Sequence, residues 1–532
     1  MKIILYLFLF GVTQNCFAQL DSTQIHLKGE VLGLVSSGKL NSLYSYSNKW
    51  GVVDPLVDNQ MVFHLKADYS IIKKRTFSSQ IGIGGVLNNH LSKSFLHELY
   101  LKGHVSFIDY SIGKEAYSTL SINDQLTTGM FLNSANSAPY PRILLGVFSY
   151  TNIPFTKGWV QYKGGIGQGV LDDERESYGK SYTLLHEKYF YLRLGNTKIQ
   201  PYVGLMHSAL FGGKDTQGNR IPIDYFATFL SKGSEKLGGG EATNAAGAHM
   251  GFYDFGVYAK LELADVQFYY QKPIRDGSSL YINKGQNKDH IIGLIVNLKH
   301  FKYIKTISVE AIKTAYQSGP GMLDLAYPKG HSKEGQSIFP SQIPDYDKFM
   351  LEEFGMAVHG WDKETFVSYF QQTYNHGYEY GGRDNYMNNG SYFKGWSYRN
   401  QSMGSPLLQT LDQFNAYTGT NLVSPAGYFV NTRVYGWHLG LAGELSPKLS
   451  YLAKLTFSKN YGSYHDEYIG GMSWDETPNY YFKNGRMETY SYLQITACKL
   501  FRSPFDLNVF VGYDWGELYY TLSTGISLVY KI

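Results

Sequence analysis

The sequence has little cysteine, little charge and no long apolar run beyond its first residues, and each lack removes a class of protein. Only 2 of 532 residues are cysteine. Cys16 lies in a leader that reads as removable, which leaves Cys498 alone, so no intrachain disulfide and no thiol metal site is expected. Charged residues make up 17%, below the roughly 25% of an ordinary globular domain. Lys plus Arg is 48 and Asp plus Glu is 44, a formal charge of only +4, which gives no footing for a nucleic-acid partner. After residue 18 there is no apolar run of helix-spanning length, so no transmembrane helix is predicted.

What the chain has instead is aromatic residues and glycine. Aromatics reach 16%, with 47 Tyr, and Gly counts 57, a composition that excludes disorder. Tyr joins an apolar ring to a polar tip and suits a boundary between lipid and water. At the N-terminus, Lys2, the apolar run 3–12 and the small residues of Cys16-Phe17-Ala18 predict a secretory signal peptide over 1–18, cleaved near Ala18. Thr13-Gln14-Asn15 is a poor match to the residues that precede a lipidated cysteine. Residues 19–532 then read as one domain.

That domain is built of segments that alternate. Met61, Phe63, Leu65, Ala67, Tyr69 and Ile71 oppose Gln60, His64, Lys66, Asp68 and Ser70, with Val62 the exception. Tyr435, Trp437, Leu439, Leu441 and Leu445 oppose a face of Gly436, His438, Gly440, Ala442 and Glu444. Leu449 to Phe457 and Tyr520 to Tyr530 repeat the pattern. Successive strand side chains point to opposite faces, so each segment has one greasy and one wet side. A soluble sandwich alternates too, but three features favour a membrane barrel. The polar faces are small and the apolar faces begin and end in Tyr or Trp, as in interfacial girdles. Short turns near 73–75, 264–265, 299–301, 446–448 and 502–504 contrast with long connections at 212–249, 317–348, 375–433 and 459–486. In such barrels the short turns face the periplasm and the long loops face outside. Third, the chain closes on an alternating strand. The fold class predicted is all-β: a large antiparallel transmembrane β-barrel of about 16–18 strands with a few short helices. Residues 223–231, with Asp224 as cap, predict one plugging or loop helix, and 345–354 a weaker second.

Four stretches carry a resemblance. FLNSANSAPYPRI (131–143), LHEKYFYLRLG (185–195), GLMHSALFGG (204–213) and YFKGWSYRNQSMGSPL (392–407) run in order along the chain. Together they resemble segments of the capsule-assembly Wzi family. The resemblance implies a Gram-negative outer-membrane barrel lectin that binds capsular or exopolysaccharide and helps attach or assemble it at the cell surface. It implies no catalysis and no cofactor. Its partners would be that polysaccharide, outer-membrane lipid and the barrel-assembly machinery during insertion, with no nucleic acid. The family's occluded lumen is also implied, but 19–60 shows no pattern for the family's helical periplasmic element. The alternative function is a porin-like diffusion channel for small solutes.

Sugar recognition needs aromatic faces and hydroxyl- or carboxylate-binding side chains, and residues 374–399 are dense in both. Tyr374, His376, Tyr378, Tyr380, Asn385, Tyr386, Asn388 and Asn389 lie there. Trp396 with Tyr378 or Tyr398 is expected as a stacking surface, and Arg383 or Arg399 as the partner of acidic sugar groups. The plainer reading has these aromatics packing the loop on itself or joining the girdle. Arg142, His186, Lys188 and His207 are expected as a cationic strip lining the lumen, against the plainer reading of a hydrogen-bonded interior. Asp172-Asp173-Glu174 and His465-Asp466-Glu467 read as solvated loops in preference to calcium ligands, so no metal is expected. No Gly-x-Ser-x-Gly elbow and no His-Glu-x-x-His pair is present. Gly164-Gly165-Ile166-Gly167 reads as strand glycines. A paired-carboxylate glycosidase site and a Ser/His lipase site stay open, because nothing in the spacing singles out a pair.

Overall fold

The computed structural model describes residues 24–38, 40–119, 122–175, 179–238, 241, 245–275, 288–321, 382–424, 427–471, 475–499 and 503–532. Alternation over about a dozen residues at a time gives strands long enough to cross a bilayer when tilted. The first thirteen are β1 (Ile25–Ser36), β2 (Gln60–Lys73), β3 (Phe77–Asn88), β4 (Phe95–Val105), β5 (Ile108–Lys114), β6 (Arg142–Asn152), β7 (Val160–Leu171), β8 (Thr183–Leu194), β9 (Ile199–Phe211), β10 (Ala248–Lys260), β11 (Ala264–Ile274), β12 (His290–Leu298) and β13 (Thr306–Lys313). Four short strands follow: β14 (Ser397–Tyr398), β15 (Gln401–Ser402), β16 (Gln409–Thr410) and β17 (Phe429–Asn431). The wall resumes with β18 (Val434–Ser446), β19 (Leu449–Asn460), β20 (Arg486–Ala497), β21 (Phe505–Gly516) and β22 (Tyr520–Lys531).

Eighteen strands form one antiparallel sheet, and β1 pairs with both β2 and β22, so the sheet closes on itself. Closure leaves no edge with unpaired backbone groups, the condition for a sheet to sit in lipid. The alternation sorts as the sequence predicts. Met61, Leu65 and Ile71 of β2 are exposed, as are Trp437 of β18, Phe457 of β19 and Ile526 of β22, while His64, His438 and Ser527 are buried. Aromatics gather at both ends of this apolar belt. Phe107, Trp159, Phe301 and Tyr303 sit at the short-turn end, and Tyr435, Trp437, Trp515 and Tyr520 at the other. This is the architecture of an outer-membrane β-barrel.

The inside differs from a water-filled channel. Helix α1 (Leu43–Tyr46), residues 126–140 and much of 383–414 are buried within the ring of strands. Hydrogen bonds tie them to the wall. The Leu43 amide donates to Asp514 of β21 at 2.6 Å, and the Thr128 amide to Glu310 of β13 at 2.6 Å. Tyr44 reaches His438 of β18 and Thr456 of β19. The plug therefore comes from the loop end of the barrel. Residues 40–59, where no helical bundle is predicted, contribute a single short helix to it.

Much of the tyrosine also turns inward, where the composition suggested an interfacial role. Tyr191 of β8 lies across Gly204 of β9, where a Cβ would come within 2.0 Å of the ring, and Tyr269 of β11 lies across Gly293 of β12 in the same way. Gly on one strand thus makes room for a ring from the next, and the hydroxyls find acids: Tyr269 donates to Glu310 at 2.6 Å. At these positions the abundance of Tyr and that of Gly serve a single packing device.

Two boundaries move. The turn expected at 264–265 lies at 261–263, before β11 begins. The segment 115–141, not recognised as a long connection, links β5 to β6 and supplies some of the plug. The helix expected at 223–231 is present as α2 (Tyr225–Leu230), with Asp224 accepting from the Ala227 amide at 3.2 Å. The helix expected at 345–354, the leader 1–18 and Arg502 of the turn at 502–504 lie outside the described residues.

Candidate functional site

At the loop end, the hairpin β14–β15 turns through Arg399 and Asn400, whose φ values of 50° and 63° give the two-residue turn with both central residues left-handed. That turn projects Arg399 out of the plug. Its guanidinium lies 3.8 Å from the centre of the Phe95 ring, and its amide donates to Asp173 at 3.0 Å. Around it opens a polar cleft formed by Asp54, Asn88, Lys93, Phe95, Arg399 and Gln401. Lys93 and Asp54 pair at 3.1 Å on its lip. Asn88, Lys93 and Phe95 come from the β3–β4 connection and its ends, and Arg399 and Gln401 from the plug hairpin, so wall and plug build the cleft jointly. Next to it, a second cavity is lined by Trp50, Glu115, Tyr117, Tyr140 and Arg142, and Ala138 borders both.

The other aromatics and cations expected to bind sugar lie deeper. Trp396 is 1% exposed and presents no open face; its ring belongs to the plug's core. Tyr398 is equally buried, and its hydroxyl donates to Asp172. Arg383 is buried as well, donating to the carbonyls of Pro320 and Gly471 and stacking 3.6 Å from the Tyr468 ring centre. Tyr374, His376, Tyr378 and Tyr380 lie outside the described residues. Of the carboxylates considered for calcium, Asp173 pairs with Arg175 and Glu467 with Arg433. Asp466 accepts from Ser463.

The cationic strip needs correction. Arg142 does face inward, donating to Glu187 and to the Tyr117 carbonyl, both at 3.2 Å. His186, Lys188 and His207 do not line the lumen. In β8 the inward set is Thr183, Leu185, Glu187, Tyr189 and Tyr191, so the even-numbered residues share the outer face with exposed Phe190 and Leu194. His207 of β9 shares its outer face with exposed Val203. These polar groups are buried because the β9–β10 loop folds back over the outside wall and lays α2 on them. Lys188 donates to the Phe229 carbonyl at the helix end, and the His186 ring packs 5.1 Å from Phe229. His207 stacks on His249 at 5.2 Å and meets Ser231 at 3.0 Å. The period-2 rule that reveals a strand does not by itself say which face holds the lumen when a loop covers the outside.

The cleft residues Asn88, Lys93, Phe95 and Gln401 were not singled out in the sequence. They sit far apart along the chain, and only closure of the barrel brings them together.

No protein-family model matches the chain, and no curated protein sequence matches it. Solved structures do. Wzi of Escherichia coli, an outer membrane protein involved in group 1 capsule assembly and described as a carbohydrate-binding β-barrel, has a TM-score of 0.51 at 12% identity. The match covers 98% of this chain and 87% of that one. The likeness is one of fold. The outer membrane protein OpdK of Pseudomonas aeruginosa matches at TM-score 0.44 and 10% identity, over 96% of this chain and 98% of that one. OprD of the same organism gives 0.43 and 8%, over 96% and 94%.

Proposed function

We propose that this chain is a polysaccharide-binding barrel of the Gram-negative outer membrane, acting without catalysis to hold capsular or exopolysaccharide at the cell surface. The observation that carries this reading is the plug. Loop segments fill the described interior and are bonded to the wall, and among the described residues they border a polar cleft at the outer end. A diffusion channel needs a continuous wet path, whereas a glycan-holding surface needs only the rim. Within the cleft, Arg399 stacked on Phe95 offers a planar donor fork for sugar carboxylates, with Lys93 adding charge and the unpartnered Oε1 of Gln401 at its inner edge an acceptor for a hydroxyl. The sequence segments that resemble the Wzi family, and the carbohydrate-binding barrel that shares the fold, lend support to the same reading.

Deletion of the gene tests it. Cells should still make surface polysaccharide but shed it into the medium, and reintroduction of the intact chain should restore retention. Polysaccharide that stays cell-bound in the deletion strain would refute the proposal.

A further inference from the structure

The inner wall holds a feature that neither a glycan surface nor a plug requires. In β4 the pairing with β3 shifts register, so that Gly84 faces Glu98 while Gly85 faces Leu96. The extra residue is a β-bulge, and it turns His97 and Glu98 together to the inside, where strict alternation would send one of them to lipid. His64 of β2 points to the same spot across β3, and all three side chains are buried.

Their lone pairs converge. One nitrogen from each imidazole and one carboxylate oxygen of Glu98 lie within 4.8 Å of one another. His97 has its tautomer fixed, because Nε2 lies 2.8 Å from the Trp50 carbonyl, an acceptor only, and so carries the proton. That leaves Nδ1 as a bare acceptor, buried and without a hydrogen-bond partner. His64 Nε2 is likewise buried and unpartnered. The rings meet edge to face with centres 4.9 Å apart. Glu98 gives one oxygen to Lys66 at 3.0 Å and to the Ala116 amide at 3.0 Å, and turns the other toward His97 at 3.7 Å.

We infer that His64, His97 and Glu98 form a binding site for a borderline divalent metal ion such as zinc or cobalt. Two imidazoles and a carboxylate suit such ions, and a ligating histidine usually donates its other N–H to a carbonyl, as His97 does to Trp50. Ligands about the ion would sit roughly 3.3 Å apart in a tetrahedral site, so side-chain adjustments of about 1 Å close the set. Lys66 holds the Glu98 oxygen turned away from the histidines, leaving the other for the ion. Bound there, the ion would lock the bulge, and through the Trp50 carbonyl the plug segment that borders the glycan cleft. This holds whether or not the cleft binds polysaccharide.

The test uses the whole chain, untagged, folded in detergent and stripped with chelator. Titration with cobalt(II) should give visible ligand-field absorption saturating at one equivalent, displaced by zinc(II). His97→Ala and His64→Ala should each weaken binding at least tenfold while keeping the compact, heat-modifiable band of a folded barrel on gels. His207→Ala, which removes a histidine from the outer wall, should bind as the parent does. If His97→Ala does not fold, Glu98→Gln and His64→Gln take its place, and each should weaken binding. No saturable binding by the parent, or equal binding by the parent and every folded variant of these residues, overturns the inference.

Discussion

Arg142 of β6 and Glu187 of β8 meet inside the barrel at 3.2 Å, reaching across the inward face of β7. They can do so because that face carries Gly165, Gly167 and Gly169; a Cβ on Gly167 would already stand 3.4 Å from the Glu187 carboxylate. Tyr140 and the Tyr117 carbonyl complete the shell around the guanidinium. Glu187→Gln leaves the arginine buried without its counter-charge and should cost on the order of 3 kcal/mol. Urea unfolding of the barrel in lipid vesicles reads this. The double variant Arg142→Met, Glu187→Leu should recover much of the loss, since no buried charge then stands alone. An unchanged midpoint in Glu187→Gln would mean that the pair is not buried as described.

Lys188 is an outer-wall residue that fastens a loop. Its ammonium caps a carbonyl at the C-terminal end of α2, where the helix dipole favours a cation. Lys188→Ala should loosen the β9–β10 loop and speed tryptic cleavage at Lys232 and Lys236 severalfold, with the barrel core resistant. Equal cleavage rates in parent and variant would show that the helix is held by its apolar contacts alone.

The cleft makes a binding prediction. Arg399→Ala should reduce retention of an acidic polysaccharide about tenfold, near 1.4 kcal/mol, and Arg399→Lys should restore only some of it, because an ammonium lacks the planar fork. Trp396→Phe, within the plug, should change retention little. Glycan retention by the purified chain, compared among these variants at fixed salt, checks both statements.

Acidity should act through the plug. Asp124, in the loop between β5 and β6, is half-buried, with its Oδ1 shut off from solvent and unpartnered, and this desolvation pushes its carboxyl up to about 7 against the weaker opposing pull of Lys454. Because the folded value is raised, the stability this group contributes is complete below about pH 4 and is lost as pH rises through 7. The parent should therefore unfold more readily at pH 8 than at pH 5, and Asp124→Asn, neutral throughout, should flatten that slope. Midpoints at the two pH values measure it; identical slopes in parent and variant would contradict the assignment.

How far the sequence reaches can be judged from particular residues. Met61 to Ile71 and Tyr435 to Leu445 carry their faces in the spelling, because a lipid belt demands an unbroken apolar set at period two. Asp224 before an apolar turn was enough to place α2. The lumen-facing assignment of His186, Lys188 and His207 failed for a reason outside that logic: polar residues on an outer face are tolerated when a loop covers them. Trp396 and Tyr398 looked like a stacking platform because aromatic and polar residues are dense around them, yet the same composition makes a plug that bonds to its wall. The cleft itself was not legible, since Lys93, Phe95 and Arg399 are neighbours only once eighteen strands have closed.

The filled interior is what separates a holding surface from a pore, and conductance reads it. Purified chain reconstituted in a planar bilayer should show no steady open current at moderate voltage, and shortening the plug around α1 should produce one. Large, stable conductance from the intact chain would contradict the plugged barrel, and with it the case for a surface that holds polysaccharide in place of a pore that passes solutes.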